Sequence, residues 1–265
     1  MDIFEAIILG AVQGLTEFLP VSSSGHLVLL QKIFGIDEPV LFFDVMVHVG
    51  TLAAVFIALW DDIRNVLRRI VQPLTGYLLL ATVPTVIAAL FFRNLIEETF
   101  QSGIFLGFSF IATALALVTA EFISGHAFRF KPQAAMYWFD ALVIGICQAI
   151  ALIPGVSRSG LTLSGALSRR LDRGFAARFA FLLSIPAILG ALVLQLKDII
   201  FGGAVIAQSP APIIAGTLSA AVVGVFAIKL MLRIVAARSF RGFALYVAIL
   251  GILVLADQNF LHLFF

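Results

Sequence analysis

Six stretches of this chain stay apolar for about the twenty residues a membrane helix needs, near 41–60, 76–92, 103–124, 175–196, 211–232 and 242–260. Each predicts a full crossing. Two further stretches, 3–34 and 137–170, are apolar at both ends and interrupted in the middle by Pro, Ser and Gly. Neither half of either stretch is long enough to span. Each predicts a helix that enters, breaks and returns, which a bilayer tolerates only where the broken backbone is buried in protein or lines a wet cavity. The expected fold class is an all-α polytopic membrane protein with six transmembrane helices and two re-entrant helix-loop-helix segments.

The two broken stretches are related to each other. An ungapped shift of 135 residues lays Gly10 on Gly145, Gln13 on Gln148, Val21 on Val156, Ser22 on Ser157, Ser24 on Ser159 and Gly25 on Gly160. The chain therefore reads as one integral membrane domain, 1–265, built from repeat 1 (about 1–124) and repeat 2 (about 137–265). A re-entrant segment followed by three crossings is an odd count, so the second copy is expected upside down, an inverted-topology repeat. The two polar tips would then approach each other near mid-membrane. A weaker likeness of Val83-Pro84-Thr85 to Ile185-Pro186-Ala187 does not fit the shift and stays unexplained.

The cations test this layout. On the proposed topology one side holds Arg64, Arg68, Arg69, Arg129, Lys131, Arg169, Arg170, Arg173, Arg178, Lys229, Arg233, Arg238 and Arg241, and the other only Lys32, Arg93 and Lys197. The rich side is expected to be cytoplasmic, with both termini outside. Arg158 alone falls in neither set of loops. It sits at the second tip, where a cation is expensive unless it meets an anion.

Composition agrees with the pattern: 62% of residues are hydrophobic, 12% are charged and the mean hydropathy is +1.11. A soluble domain carries roughly 25% charge. The net charge of +2 is small and lies in loops at membrane faces, so membrane lipids are the expected surroundings and no nucleic-acid partner is expected. A single cysteine, Cys147, precludes an intrachain disulfide. The N-terminus lacks the basic start of a signal peptide and is expected to belong to the mature fold.

The first tip runs from Gln13 through Glu17 to Pro-Val-Ser22-Ser23-Ser24-Gly25-His26. Gln13 and Glu17 are four apart, so on a helix they share a face, one turn apart. Pro20 should end that helix. The second tip reads Pro154-Gly155-Val156-Ser157-Arg158-Ser159-Gly160-Leu161-Thr162. Glycines such as Gly25 and Gly160 let a backbone approach an anion. Hydroxyls (Ser22, Ser24, Ser157, Ser159, Thr162) and helix-start N–H groups donate to it, and a guanidinium supplies charge and a bidentate fork. That set suits a phosphate. The copies differ where chemistry would demand it, for Leu152, Arg158 and Leu161 stand in place of Glu17, Ser23 and His26. Together they suggest phosphoryl transfer: Arg158 neutralises phosphate oxygens, Gln13 and Glu17 hold a divalent metal, and His26 with a neighbouring serine supplies or activates a nucleophile. An all-oxygen ligand set favours Mg²⁺ or Ca²⁺ over zinc.

These two motifs, with the length and the hydropathy layout, resemble the undecaprenyl pyrophosphate phosphatases, the bacitracin-resistance family, over nearly the full chain. The family's first motif begins with Glu or Gln, and Gln13 here removes one metal-binding carboxylate. The resemblance implies hydrolysis of the terminal phosphate of undecaprenyl (polyprenyl) diphosphate to give the monophosphate carrier lipid for cell-wall synthesis, with a divalent cation needed. It also implies a site opening to the outer, periplasmic face of the bacterial inner membrane. Gln13 and Glu17 are implied as metal or water ligands. Ser22 and Ser23 are implied as phosphate contacts or nucleophile candidates, His26 as base or nucleophile, and Arg158 with Ser157 and Ser159 as the diphosphate clamp. Serine and His26 both remain open as the attacking group, and a homo-oligomer is left open.

Other polar residues have plainer expectations. Asp44 and His48, four apart, are expected to be a hydrogen-bonded packing pair near the outer interface, the alternative being support for the pocket. Glu121 and Asp140 are expected to be interfacial charges. Gln148 lines the pocket or makes a helix-to-helix hydrogen bond. The rival function is a lipid flippase or secondary transporter, since broken helices in inverted repeats also build transporters.

Overall fold

The structure, a computed structural model, describes residues 1–36, 40–92, 95–96, 98–99, 103–125, 130–201, 209–237 and 239–264. Among the described residues it is all-helical apart from one isolated bridge between Lys131 and Leu171. Among the described residues we number eleven α-helices, α1 (Ile3–Thr16), α2 (Ser23–Ile33), α3 (Leu41–Ala58), α4 (Trp60–Arg68), α5 (Pro73–Phe91), α6 (Leu106–Gly125), α7 (Trp138–Ile150), α8 (Arg158–Ser168), α9 (Arg173–Phe201), α10 (Pro210–Ala237) and α11 (Arg241–Ala256). Five of these helices are long and apolar enough to cross a membrane, and a sixth counts if α3 and α4 form one bent span. The protein is therefore a multi-pass membrane protein.

The local chemistry explains where the helices stop. Asp2 and Glu5 form a capping box at the start of α1, with Glu5 N donating to Asp2 Oδ1 at 2.8 Å and Asp2 N to Glu5 Oε2 at 2.7 Å. The α1–α2 pair breaks around Pro20, and the α7–α8 pair breaks at Pro154-Gly155, where Gly155 takes φ +85. Helices α3, α5, α6, α9, α10 and α11 lie where the six long apolar runs predict crossings. Helix α9 outruns its apolar run at both ends, starting at Arg173 and continuing to Phe201.

Helix α4 corrects the expectation of a loop carrying Arg64, Arg68 and Arg69. Residues Trp60–Arg68 continue as a helix that turns 78° from α3. It is amphipathic: Ile63 is buried, while Asp61, Asp62, Arg64 and Arg68 take the opposite side, as an interfacial helix requires.

Packing follows a reciprocal pattern. Helix α1 lies along α10 and α7 lies along α5, each pair running in the same direction. The close approaches show the register: a Cβ on Gly10 would stand 2.1 Å from the Gly216 carbonyl oxygen, and one on Gly145 would stand 2.4 Å from that of Ala81. Ala81 and Gly216 are themselves 135 apart, the spacing of Gly10 and Gly145. Small residues are what let these backbones meet. Helix α6 runs antiparallel to α11, with Gly107 against Gly251 and Gln258 Nε2 donating to the Gly103 carbonyl at 2.8 Å.

At the opposite end of α6, Glu121 accepts from Arg173 Nη2 at 3.0 Å and from the Phe240 amide at 3.3 Å, while Arg173 Nε reaches the Val235 carbonyl at 3.1 Å. Four helix ends, of α6, α9, α10 and α11, thus gather at the basic end of the molecule. Asp140, fully buried, accepts from Lys131 Nζ at 2.9 Å, Arg169 Nε at 2.8 Å and the Tyr137 amide at 3.3 Å. Glu121 and Asp140, expected as interfacial charges, do lie near helix ends among basic residues. Both are ion-pair nodes, because several chain ends converge on them and bring cations with them. Arg93, Arg129 and Arg238 lie outside the described residues.

Candidate active site

The two helix breaks meet. Gln13 and Glu17 do share a face at the end of α1: Gln13 is fully buried and its Nε2 donates to Glu17 Oε2 at 3.0 Å. The same oxygen accepts from Ser23 Oγ at 2.5 Å. Glu17 Oε1 accepts from Arg158 Nη2 at 2.7 Å, across 141 residues of chain, in an ion pair whose side chains are only 6% and 17% exposed. Losing one partner of such a pair strands a buried charge. Arg158 Nη1 is also buried and has no hydrogen-bond partner, and neither does Gln13 Oε1.

Several hydroxyls predicted to touch phosphate already hold the tips together. Ser22 Oγ caps α2 by accepting from Gly25 N at 3.3 Å, and Ser157 Oγ caps α8 by accepting from Gly160 N at 3.0 Å. Ser159 Oγ donates to the Leu19 carbonyl at 2.8 Å, tying the second tip to the first. Thr162 Oγ1 donates to the Arg158 carbonyl at 2.9 Å. Ser24 Oγ accepts a long 3.4 Å contact from Gly155 N. The glycines also serve packing: a Cβ on Gly25 would lie 2.7 Å from the Phe110 ring, and one on Gly160 3.0 Å from Ser157. The tips are compact because these positions are small.

Capping leaves a consequence for charge. In α2 the Gly25 and His26 amides bond back to Ser22, and in α8 the Gly160 and Leu161 amides bond back to Ser157. The amides that open each first turn, at Ser23 and Ser24 and at Arg158 and Ser159, have no carbonyl four residues behind them within a helix. Two helix N-termini therefore converge beside Arg158, and both favour an anion.

His26 stands one turn along α2 from Ser23, in its own set of contacts. Its Nδ1 is 2.6 Å from the Ser22 carbonyl and its Nε2 is 2.8 Å from the hydroxyl of Tyr246 on α11. The Phe110 ring meets its edge at 5.5 Å. His48 and Asp44 are hydrogen-bonded, as their spacing predicts, but through the Asp44 backbone and not its carboxylate. His48 Nδ1 bonds the Asp44 carbonyl at 2.6 Å, while the Asp44 carboxylate accepts from Gln31 Nε2 at 2.9 Å. His48 also lies within electrostatic reach of Glu17. Gln148 makes the helix-to-helix bond, donating to Thr85 Oγ1 on α5 at 3.0 Å. Tyr246 and Thr113, whose Oγ1 accepts from Ser157 N at 3.0 Å, escape sequence reasoning because each is an isolated polar group on an apolar helix, and Gln31 because it sits beside Lys32 at a helix end.

A narrow cleft lies beside the tips, lined by Ser24, Val28, Thr99, Gly103, Leu106, Pro154 and Gly155. Its walls include the α6 end that faces Gln258, away from the basic end.

Fold and site define a class: a multi-pass helical membrane protein whose polar centre, an ion pair between two helix breaks, is buried among its helices. Residues 6–253 match the family described as bacitracin resistance protein BacA, and the chain belongs to that family. It is 47% identical to an undecaprenyl-diphosphatase of Carboxydothermus hydrogenoformans, covering 97% of this chain and 98% of the relative. It is 42% identical to undecaprenyl-diphosphatase 4 of Bacillus thuringiensis subsp. konkukian over 97% and 98% of the two chains. It is 38% identical to an undecaprenyl-diphosphatase of Methanosphaera stadtmanae over 96% and 97%.

Proposed function

We propose that this chain is a membrane hydrolase that removes the terminal phosphate of undecaprenyl diphosphate, leaving the monophosphate carrier lipid. The observation that carries the reading is Arg158: one amino group is fixed by Glu17 and the other is buried without a partner, at the meeting of two helix N-termini. A phosphate oxygen satisfies that group.

The geometry favours Ser23 as the attacking atom, since its Oγ already donates to Glu17 while both ring nitrogens of His26 are engaged elsewhere. Ser23 Oγ forms a bond to the terminal phosphorus as its proton passes to Glu17. The bond from that phosphorus to the bridging oxygen breaks, and the lipid monophosphate leaves. Water then attacks the phosphoserine, giving its proton to His26 Nε2, and Glu17 returns a proton to Ser23 Oγ as phosphate departs.

A divalent cation fits if it arrives on the diphosphate. Glu17 is already matched by Arg158, and among the described residues no three His, Cys, Asp or Glu cluster as a site of their own. Gln13 Oε1, buried and unpartnered, and the remaining lone pair of Glu17 would hold it, with Mg²⁺ or Ca²⁺ supplying neutralisation of phosphate charge.

The membrane arrangement belongs to the same proposal. The α1–α2 and α7–α8 segments are re-entrant and the halves form an inverted repeat. This is supported by α1 running with α10 and α7 with α5, two spans that cross in opposite senses. The basic end faces the cytoplasm, and the cleft at the other end opens to the periplasmic face of the inner membrane. Ion-coupled transport is disfavoured because Glu121, Asp140 and Asp44 are each bound to a neighbouring side chain.

Purified protein in detergent with Mg²⁺ should release phosphate from a polyprenyl diphosphate, and Glu17→Ala, His26→Ala and Arg158→Ala should each abolish release. Release persisting in all three would refute the site. Labelled lipid moving across vesicles without any hydrolysis would favour the flippase.

A further inference from the structure

The imidazole of His26 is bracketed on both nitrogens. The Ser22 carbonyl, 2.6 Å from Nδ1, can only accept, so Nδ1 carries a proton and the neutral ring keeps its lone pair on Nε2. The group at Nε2 is the Tyr246 hydroxyl, 2.8 Å away and 220 residues distant in sequence, which therefore donates. The two rings stack with centroids 5.7 Å apart and planes 19° from parallel. Tyr246 is 47% exposed and His26 only 7%, so the phenol is the wall between the imidazole and the surroundings of α11. An aromatic anchor at the membrane interface would account for the exposure. It does not account for a stacked ring whose hydroxyl is turned inward onto a buried histidine.

We propose that Tyr246 is a positioning residue for His26: the Ser22 carbonyl sets the Nδ1–H form, and the stacked phenol with its hydroxyl holds the ring so that the basic Nε2 is fixed at the place where the attacking water must deliver its proton. The inference rests on the phosphatase reading above. In the resting protein the phenol stands where that water will be, and it yields Nε2 when substrate and water fill the site.

The test is Tyr246→Phe, which keeps the ring and removes the hydroxyl, compared with wild type in detergent with Mg²⁺ and a polyprenyl diphosphate. Loss of one such hydrogen bond should lower kcat about 10-fold with KM unchanged. In protein labelled with ¹⁵N at histidine, the His26 Nε2 signal, identified by its absence in His26→Ala, should shift as its lone pair loses the phenol donor, while the ring stays in the Nδ1–H form that the Ser22 carbonyl imposes. Wild-type kcat in Tyr246→Phe, or a lowered kcat with unmoved His26 signals, would overturn the positioning role. A raised KM at unchanged kcat would overturn it in favour of a substrate contact. Wild-type protein releasing no phosphate would be a failure of the phosphatase reading instead, and the ring signals of Tyr246→Phe would still decide whether the phenol holds Nε2.

Discussion

Ser22 takes φ 72 and ψ 100, in a region L-residues avoid, whereas its repeat mate Ser157 takes an ordinary φ of −71 and ψ of 115. Strain of this kind costs on the order of 1–3 kcal/mol and survives only where its surroundings over-determine it. Here it turns the chain so that Ser23 begins α2 facing Glu17. The two serines should therefore separate on substitution. Ser22→Ala removes a cap and should lower stability by about 1 kcal/mol, with phosphate release within a few-fold of wild type. Ser23→Ala should melt as wild type does and release no phosphate; melting curves and turnover on the same preparations check both. If Ser23 is the attacking atom, His26→Ala should accumulate phosphoserine at position 23, readable by mass spectrometry of the peptide. Phosphate found on His26 in Ser23→Ala protein would reverse the assignment. At this scale much was legible. Gln13, Glu17 and Arg158 stand out from spacing and from the rarity of charge in an apolar chain, Ser23 from its mismatch with Arg158 in the repeat and from the family resemblance, and the structure brings the four together. The engaged hydroxyls of Ser157, Ser159 and Thr162 were not legible, since a capping serine and a phosphate-binding serine look alike in sequence.

The helix pairs that carry the tips are held by contacts with no room for a methyl group. A Cβ on Gly25 would fall 2.7 Å from Phe110 Cζ and 3.0 Å from Leu106 Cδ1. Gly25→Ala should therefore destabilise by about 1–3 kcal/mol through overpacking. It should also impair turnover, because His26 is the next residue. Adding Phe110→Leu should recover part of both, as read by thermal unfolding in detergent and by phosphate release. If Gly25→Ala costs nothing, α2 does not pack on α6 as described. At the basic end, Asp140→Ala removes the shared partner of Lys131 and Arg169, whose side chains are partly exposed and stay solvated, and should cost about 1–3 kcal/mol, with the melting temperature as the measurement. The sequence placed all six long helices and both breaks, because apolar length and Pro-Gly interruptions are local signals. It missed α4, whose apolar residues form a single stripe that a search for long apolar runs passes over.

For the whole molecule, the proposed topology sets both termini outside and the Arg173–Glu121 end inside. In intact cells a membrane-impermeant thiol reagent should label Asp2→Cys and Asn259→Cys, whereas Ser239→Cys should react only after permeabilisation. Labelling of Asp2→Cys and Asn259→Cys from opposite sides would rule out an even number of crossings. Phosphate release should stop with a chelator and return with added Mg²⁺. Turnover that ignores the chelator would remove the cation from the proposal.

Sequence by itself determined the membrane class, the spans, the duplicated polar tips and the residues worth testing, since each follows from composition, periodicity or self-similarity along the chain. Only the tertiary structure decided that Arg158 meets Glu17, that Asp140 is a buried ion-pair node, and that a tyrosine on α11 reaches His26. Those are contacts between residues tens to hundreds of positions apart, and helix packing, which local pattern does not encode, sets which of them touch.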